Sequence, residues 1–408
     1  MKIAYVLLSS KGGIPHYVAC LANAVSKYAD VVLLKPDKTT ADDIFSNRIE
    51  VVNAFKSMDL SYVDIYKRTF ISLKTVEGLL SYKNLKMVEE VKPDLVHFPG
   101  GFIPPIQIFI RLHKLDEKYP VLVTLHNVLP KRFFMLPKRD IPFEPFLNVV
   151  VANIANFLDL LMPRVKCERV IVHTQGNRER LIERGLPPQK VVVIPHGVFN
   201  FFKNYGNNSD DLKEEKNCVL FFGNIVASKA VDVLIDAMPI VIKEIPDVKL
   251  IIAGDGVIPK RSWKIVEKYK SNFEIHNYFI PNEKVREFFS RACIVVIPNR
   301  KQEGHSGSLT IAYSFGKPVV TTNVGEFPTL VRDAGCGLVV PPEDPTALAE
   351  AIIKLLKDDE LRGKMKENAL RMAEKLSWDN VAKIHMRVYE EVLNEWEGSK
   401  GENGKDEN

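Results

Sequence analysis

The chain lacks a CxxC pair and any zinc-ligand spacing among its cysteines. Cys20, Cys167, Cys218, Cys293 and Cys336 are odd in number and widely scattered. That argues against a disulfide framework, and buried free thiols in a reducing compartment are expected. Uninterrupted apolar runs are missing as well. The most apolar long stretch, "FLNVVVANIANFLDLLMP", is broken by Asn148, Asn153, Asn156 and Asp159. It suits a buried or amphipathic helix better than a membrane span. The apolar part of "MKIAYVLLSSKGG" is too short for a signal-peptide core with its cleavage site. It predicts a first β-strand and a cytoplasmic protein. Charge of one sign is scarce too: 56 basic against 51 acidic residues leave a formal +5, too mild to argue for nucleic acid as a partner. No repeat of solenoid period is present.

What is there is ordinary globular material, 46% hydrophobic and 26% charged. A chain of 408 residues exceeds one compact core and suits two domains. Runs rich in Val and Ile recur before residue 196: "KIAYVLL", "DVVLL", "IEVVN", "DLVHF", "VLVTLH", "RVIVHT" and "KVVVIP". After the polar stretch "FNFFKNYGNNSDDLKEEKN" they restart as "CVLFFG", "VKLIIAG", "FEIHNYF", "CIVVIP", "PVVTT" and "GLVVP". Unbroken apolar strands alternating with helical segments imply parallel sheets covered on both faces. The fold class is α/β, with two doubly wound Rossmann-like domains facing an interdomain cleft. The expected division is 1–200 and 217–377, with a terminal helix over 378–396 returning to the first domain and a disordered tail over 397–408.

The turn "SSKGGIPHYVACLANAV" puts Gly12 and Gly13 between a strand and a helix, where backbone can approach a ligand closely. The GxGxxG spacing of a dinucleotide fingerprint is missing, and shaping a tight turn is the competing role. His126 ends the strand "VLVTLHN", where such domains display site residues; its imidazole could serve a sugar hydroxyl or a developing charge. His196, in "VIPHGVF", follows a strand at the approach to the linker, where a turn role competes evenly. His97, His113 and His276 read as packing or surface residues. In the second half, Lys229 follows the strand-ending Gly223 and could neutralise a diphosphate as a point charge, against the alternative of a solvated lysine. "EGHSGSLTIAYSFGKPVV" joins a Gly/Ser turn to a helix start, so Ser306, Gly307, Ser308 and Leu309 can offer N–H groups to an anion. Glu303 just before them can accept hydrogen bonds from sugar hydroxyls.

In this order, "GGIPHYVACLANAV", "TLHN", "VIVHTQGNRERLIERG", "KVVVIPHGV", "FFGNIVASKAVDVLIDA", "LIIAGDG", "EGHSGSLTIAYSFGKPVVTTNVGEFPTLV" and "GLVVPPEDPTALAEAI" resemble the family 4 glycosyltransferases over about residues 1–396. The resemblance implies a GT-B fold and a retaining enzyme with no metal and no cofactor beyond its nucleotide-diphosphate sugar co-substrate. It implies a donor site mainly on the second domain and a glycan or lipid-linked acceptor on the first. By resemblance, Gly13 lies beside the donor phosphates, His126 near the transferred sugar, and Lys229 is the lysine of a phosphate-binding Arg/Lys pair. Glu303 contacts the sugar, and Gly307, Ser308 and Leu309 hold the diphosphate. The sequence departs from the pattern twice: Asn224 stands where the arginine of the pair would align, and Ile311 where a second glutamate would.

Retaining glycosyl transfer is the expected activity, in glycan, glycolipid or polysaccharide biosynthesis. A non-catalytic nucleotide-sugar-binding protein and a nucleotide-sugar epimerase of similar fold are the alternatives, and a nicotinamide dehydrogenase ranks last. The stretch "KRFFMLPKR", 131–139, mixes four basic residues with two phenylalanines, which suits peripheral docking on an anionic bilayer. A solvated basic loop is the other reading.

Overall fold

The structure is a computed structural model that describes residues 1–58, 73–101, 104–128, 165–205, 212–301 and 305–403. The stretch 131–139, the apolar run of residues 146–163 and Glu303 lie outside the described residues.

Two compact units emerge, one of Met1–Gly197 with the C-terminal Trp378–Asn408, the other of Val198–Ser377. The first contains seven described strands: β1 (Lys2–Val6), β2 (Asp30–Pro36), β3 (Glu50–Phe55), β4 (Leu95–Phe98), β5 (Val121–Leu125), β6 (Arg169–Val172) and β7 (Val191–Val193). All pair in parallel, in the order β3-β2-β1-β4-β5-β6-β7. The apolar runs expected from the sequence are these strands. Residues 3–6 of β1 and all of β4 are buried, as strands covered on both faces must be.

In the second unit β8 (Cys218–Phe222), β9 (Lys249–Ala253), β10 (Phe273–His276), β11 (Ile294–Ile297), β12 (Val319–Thr322) and β13 (Gly337–Val340) are likewise parallel. Their order is β10-β9-β8-β11-β12-β13. The core between the sheet and its helices is aliphatic: Leu250 and Ile252 of β9 pack with Leu234 and Met238 of helix Val231–Glu244, and with Ile352 and Leu355 of helix Pro345–Lys357. Both sheets reverse strand order once, at β1/β4 and at β8/β11. In open α/β sheets that reversal parts the loops beyond the strand C-termini into a crevice.

The C-terminal helix runs from Trp378 to Asn403 and belongs to the first unit. Trp378 stands edge-on to Tyr17 with ring centroids 5.2 Å apart. Further along the helix, the Tyr389 hydroxyl sits 2.9 Å from that of Tyr5 and 2.8 Å from Nδ1 of His97. Nε2 of His97 is 2.9 Å from Oγ1 of Thr124. This buried chain of hydroxyls and imidazole ties the helix to β1, β4 and β5, and gives His97 the packing role its position suggests. Cys20, Cys218, Cys293 and Cys336 are buried free thiols, and Cys167 is half-buried. Among the described residues no helix is long and apolar enough to cross a membrane.

Candidate active site

In the second unit the β8/β11 reversal brings two loops together. After β8 the chain turns through Gly223, whose N–H donates to Ala253 O at 2.9 Å. Its φ of +130° is one that side-chain-bearing residues rarely adopt. Exposed Asn224 follows. Residues Ala227–Lys229 then form one 3₁₀ turn, and Ala230, at φ +52° and ψ +40°, starts the helix Val231–Glu244. Lys229 is half-buried on this turn. Burial pushes its ammonium pKa below the ordinary lysine value, because an ion losing water without a counter-charge is disfavoured. Among the described residues no carboxylate pairs with it.

Across the crevice the chain leaves β11 and reaches the helix Gly307–Ser314. Ser306 is its N-cap, accepting from Leu309 N through its side chain at 3.4 Å and its carbonyl at 3.2 Å. The serine thus takes up the Leu309 N–H internally. The N–H groups of Gly307 and Ser308 have no partner among the described residues, the usual condition of a helix start. The Ser308 hydroxyl donates to Phe222 O at 2.7 Å, stitching this helix to the end of β8 beside Gly223. Asn299 is buried, and its Oδ1 has no hydrogen-bond partner among the described residues. Ile311, one turn into the helix, is buried as well, so an apolar side chain fills the place of the second glutamate.

Of the residues singled out in the sequence, Gly223, Asn224, Lys229, Ser306, Gly307, Ser308 and Leu309 fall on the two loops of this crevice. The reversed strand order accomplishes that, since His305 comes 76 positions after Lys229 without any sequence signal of their proximity. Sequence reasoning missed Arg300, whose backbone N–H donates to Ser228 O at 2.9 Å and whose Nη1 donates to Ala227 O at 2.6 Å. Its only signal was a basic residue three places after the strand run "CIVVI".

In the first unit, Gly12 caps the helix Gly13–Val25 at φ +84°. A Cβ placed on Gly12 or Gly13 would meet nothing within 4 Å, so the space beside this turn is open. His126 follows β5 directly. Its Nε2 is 2.8 Å from Pro99 O and its Nδ1 is 3.2 Å from Nε2 of His173. Nδ1 of His173 is in turn 2.9 Å from Ile194 O. Tyr17 packs edge-on against His126 at 4.6 Å between centroids, and His196 lies 5.1 Å from His173. Burial lowers the His126 pKa to about 4 and holds that of His173 well below the ordinary imidazole value. His126 is thus neutral at neutral pH. With both nitrogens engaged, it reaches a ligand hydroxyl only by exchanging one protein partner. His173 is the member of this cluster that sequence reasoning missed, and His196, weighed there against a turn role, joins it.

The family model for glycosyl transferases group 1 matches residues 207–372, and that for glycosyltransferase family 4 matches residues 12–199. An uncharacterized glycosyltransferase of Methanocaldococcus jannaschii is 33% identical over 206 residues, 50% of this chain and 54% of that protein. A D-inositol 3-phosphate glycosyltransferase of Acidothermus cellulolyticus is 24% identical over 293 residues, 68% of this chain and 63% of its own length. The chain therefore spans less than two thirds of the length of these curated relatives. Among solved structures, Anabaena HepE in complex with UDP and glucose superposes with a TM-score of 0.68 at 18% identity, over 96% of this chain and all of that one. Two Rossmann-like units in this order constitute the GT-B fold. With one family model on each unit, the chain belongs to the family 4, group 1 glycosyltransferases.

Proposed function

We propose that this protein is a retaining glycosyltransferase that moves a sugar from a nucleoside-diphosphate sugar to an acceptor hydroxyl without a metal. The carrying observation is the β8/β11 crevice, where, among the described residues, no carboxylate pairs with the Lys229 ammonium and nothing accepts from the N–H groups of Gly307 and Ser308. Such a place favours an anion: the amide dipoles and the positive helix end favour negative charge, and a phosphate supplies the counter-charge that a desolvated ammonium needs.

In the proposed reaction the bond from the anomeric carbon to the β-phosphate oxygen breaks, and the diphosphate leaves with the electron pair. The sugar becomes oxocarbenium-like. The acceptor oxygen bonds to the anomeric carbon on the face the diphosphate leaves, and the acceptor proton passes to the departing phosphate oxygen. Charge grows on the diphosphate along this path, so Lys229 and the 307–308 N–H groups stabilise the transition state more than the bound donor. Glu303 would accept from the sugar hydroxyls. In the first unit we assign the open Gly12–Gly13 turn to the donor phosphates and neutral His126 to the transferred sugar. The name of the Acidothermus relative suggests inositol phosphates as acceptors to try first.

Incubating the protein with UDP-, GDP- and ADP-sugars without added metal tests this, with nucleoside diphosphate release as the signal. UDP-sugars go first, since the Anabaena neighbour holds UDP. One donor is expected to be cleaved, and Lys229→Ala to weaken its binding about 10- to 100-fold, the worth of a charge-assisted contact. Donor-independent behaviour, with neither cleavage nor a thermal shift, would refute the site. The two departures at Asn224 and Ile311 favour one other reading, donor binding without turnover; a thermal shift with no release from any donor–acceptor pair would establish it.

A further inference from the structure

We infer that Arg300 is a positioning residue that fixes the Lys229 turn, an inference that rests on the donor site proposed above. The turn needs holding. Ala230 sits in the left-handed region at φ +52°, a conformation that L residues with a Cβ keep only where their surroundings impose it. Just before it, Ala227–Lys229 is a single 3₁₀ turn, with Lys229 N donating to Val226 O at 2.9 Å. Its internal bonds are few. Arg300 supplies the rest from the opposite side of the β8/β11 crevice. Its backbone N–H and Nη1 donate to two successive carbonyls of the turn, Ser228 O at 2.9 Å and Ala227 O at 2.6 Å. Nη2 donates to Asp232 Oδ2 at 2.8 Å in the first turn of the following helix. Nε bonds to Glu343, with Nη2 at 3.2 Å from the same carboxylate.

This geometry also says what Arg300 does not do. Each nitrogen of its guanidinium is engaged by a carbonyl or a carboxylate, and Glu343 together with Asp232, which it shares with Arg261, answers its charge, so it is no substitute for the cation missing at Asn224. Its planar fork instead joins the turn, the helix start and the loop beyond β13 in one plane, a task a lysine cannot perform. The donor phosphates would then meet a Lys229 whose backbone is already in place, which is how preorganisation adds affinity without adding a contact.

A double-mutant cycle tests this. UDP, GDP and ADP are titrated into the wild type, Arg300→Met, Lys229→Ala and the double variant, and the tightest ligand is followed, with melting curves recorded for each. Arg300→Met is expected to weaken binding about tenfold and to raise the donor KM while leaving the acceptor KM unchanged. On the Lys229→Ala background it should change affinity less than about twofold, because the residue through which it acts is gone. Arg300→Lys, which keeps the charge and loses the fork, should fall with Arg300→Met rather than with the wild type. An equal loss on both backgrounds, or a wild-type Arg300→Lys, overturns the inference and leaves the donor site standing. An unchanged affinity in Lys229→Ala overturns the donor site itself, and the inference with it. Should Arg300→Met not fold, Arg300→Lys and its double variant with Lys229→Ala complete the same cycle.

Discussion

Gly254 is a position where the fold leaves no room for a side chain, and Gly254→Ala measures how tightly the two turns beside the candidate site are packed. Gly254 follows β9 at φ +156°, and its N–H donates to His276 O at 3.0 Å. An added Cβ would lie 1.9 Å from Gly223 O and 2.7 Å from Gly223 C, whereas real Cβ contacts stay beyond 3.0 Å. The obstacle is backbone, not the end of a flexible side chain. Gly223 must therefore retreat by about an ångström, against the N–H bond that ties it to Ala253 and the Ser308 hydroxyl that closes on Phe222 O, the kind of overpacking that costs about 1–3 kcal/mol. The unconventional φ adds to it, so about 3 kcal/mol is the expected loss. For a unit of the size of Val198–Ser377, that is about 6–12 °C in melting temperature. The control is Gly363→Ala, at an exposed position inside helix Asp359–Lys375 where a Cβ meets nothing within 4 Å. That change should stabilise by about 0.5–1 kcal/mol through helix propensity alone. Differential scanning calorimetry on the two variants decides the matter. A Gly254→Ala protein melting within a degree of wild type would show that the β8 and β9 turns do not meet as described.

The buried imidazoles give the first unit an acid limit. His385 is fully buried and its pKa falls from 6.5 to about 4 through burial. The unfolded chain therefore takes up a proton as pH drops below 6.5 and the folded chain does not. Stability from this residue is intact above that value and lost as pH falls towards 4, amounting to about 2 kcal/mol between pH 7.5 and pH 5. Urea midpoints at the two pH values should converge in His385→Gln by that amount; an unchanged difference would contradict a neutral buried ring. Tyr389→Phe removes the hydroxyl shared by Tyr5 and His97, and should lower urea stability by about 1–3 kcal/mol, the cost of leaving buried polar groups unpaired. Tyr28→Phe, at a hydroxyl-bearing ring 48% exposed, should leave the midpoint unchanged.

The strands were legible because burial on both faces leaves a local trace: "CIVVIP" and "KLIIA" are apolar at every position a parallel sheet covers. Strand order leaves none. Nothing in "FFGNIVASKA" says that it faces "IPNRK" and "HSG" rather than the loop after β9, so the sequence could nominate Lys229 and Ser306–Leu309 but not place them in one crevice. Capping was half legible. A serine before an apolar helix is a known N-cap signal, yet only the structure shows that Ser306 occupies the Leu309 N–H while those of Gly307 and Ser308 find no partner among the described residues. Arg300 and His173 were illegible for a different reason. Each acts on a candidate site residue through backbone carbonyls and a neighbouring ring, and a carbonyl has no residue identity to read. The same asymmetry divides the residues of the site. Residues that touch a ligand can be proposed from motif and chemistry, whereas those that hold them in place emerge only from distances. An exchange at Lys229 and an exchange at Arg300 therefore test different claims: the first whether an anion binds in this crevice, the second whether the fold prepared the crevice for it.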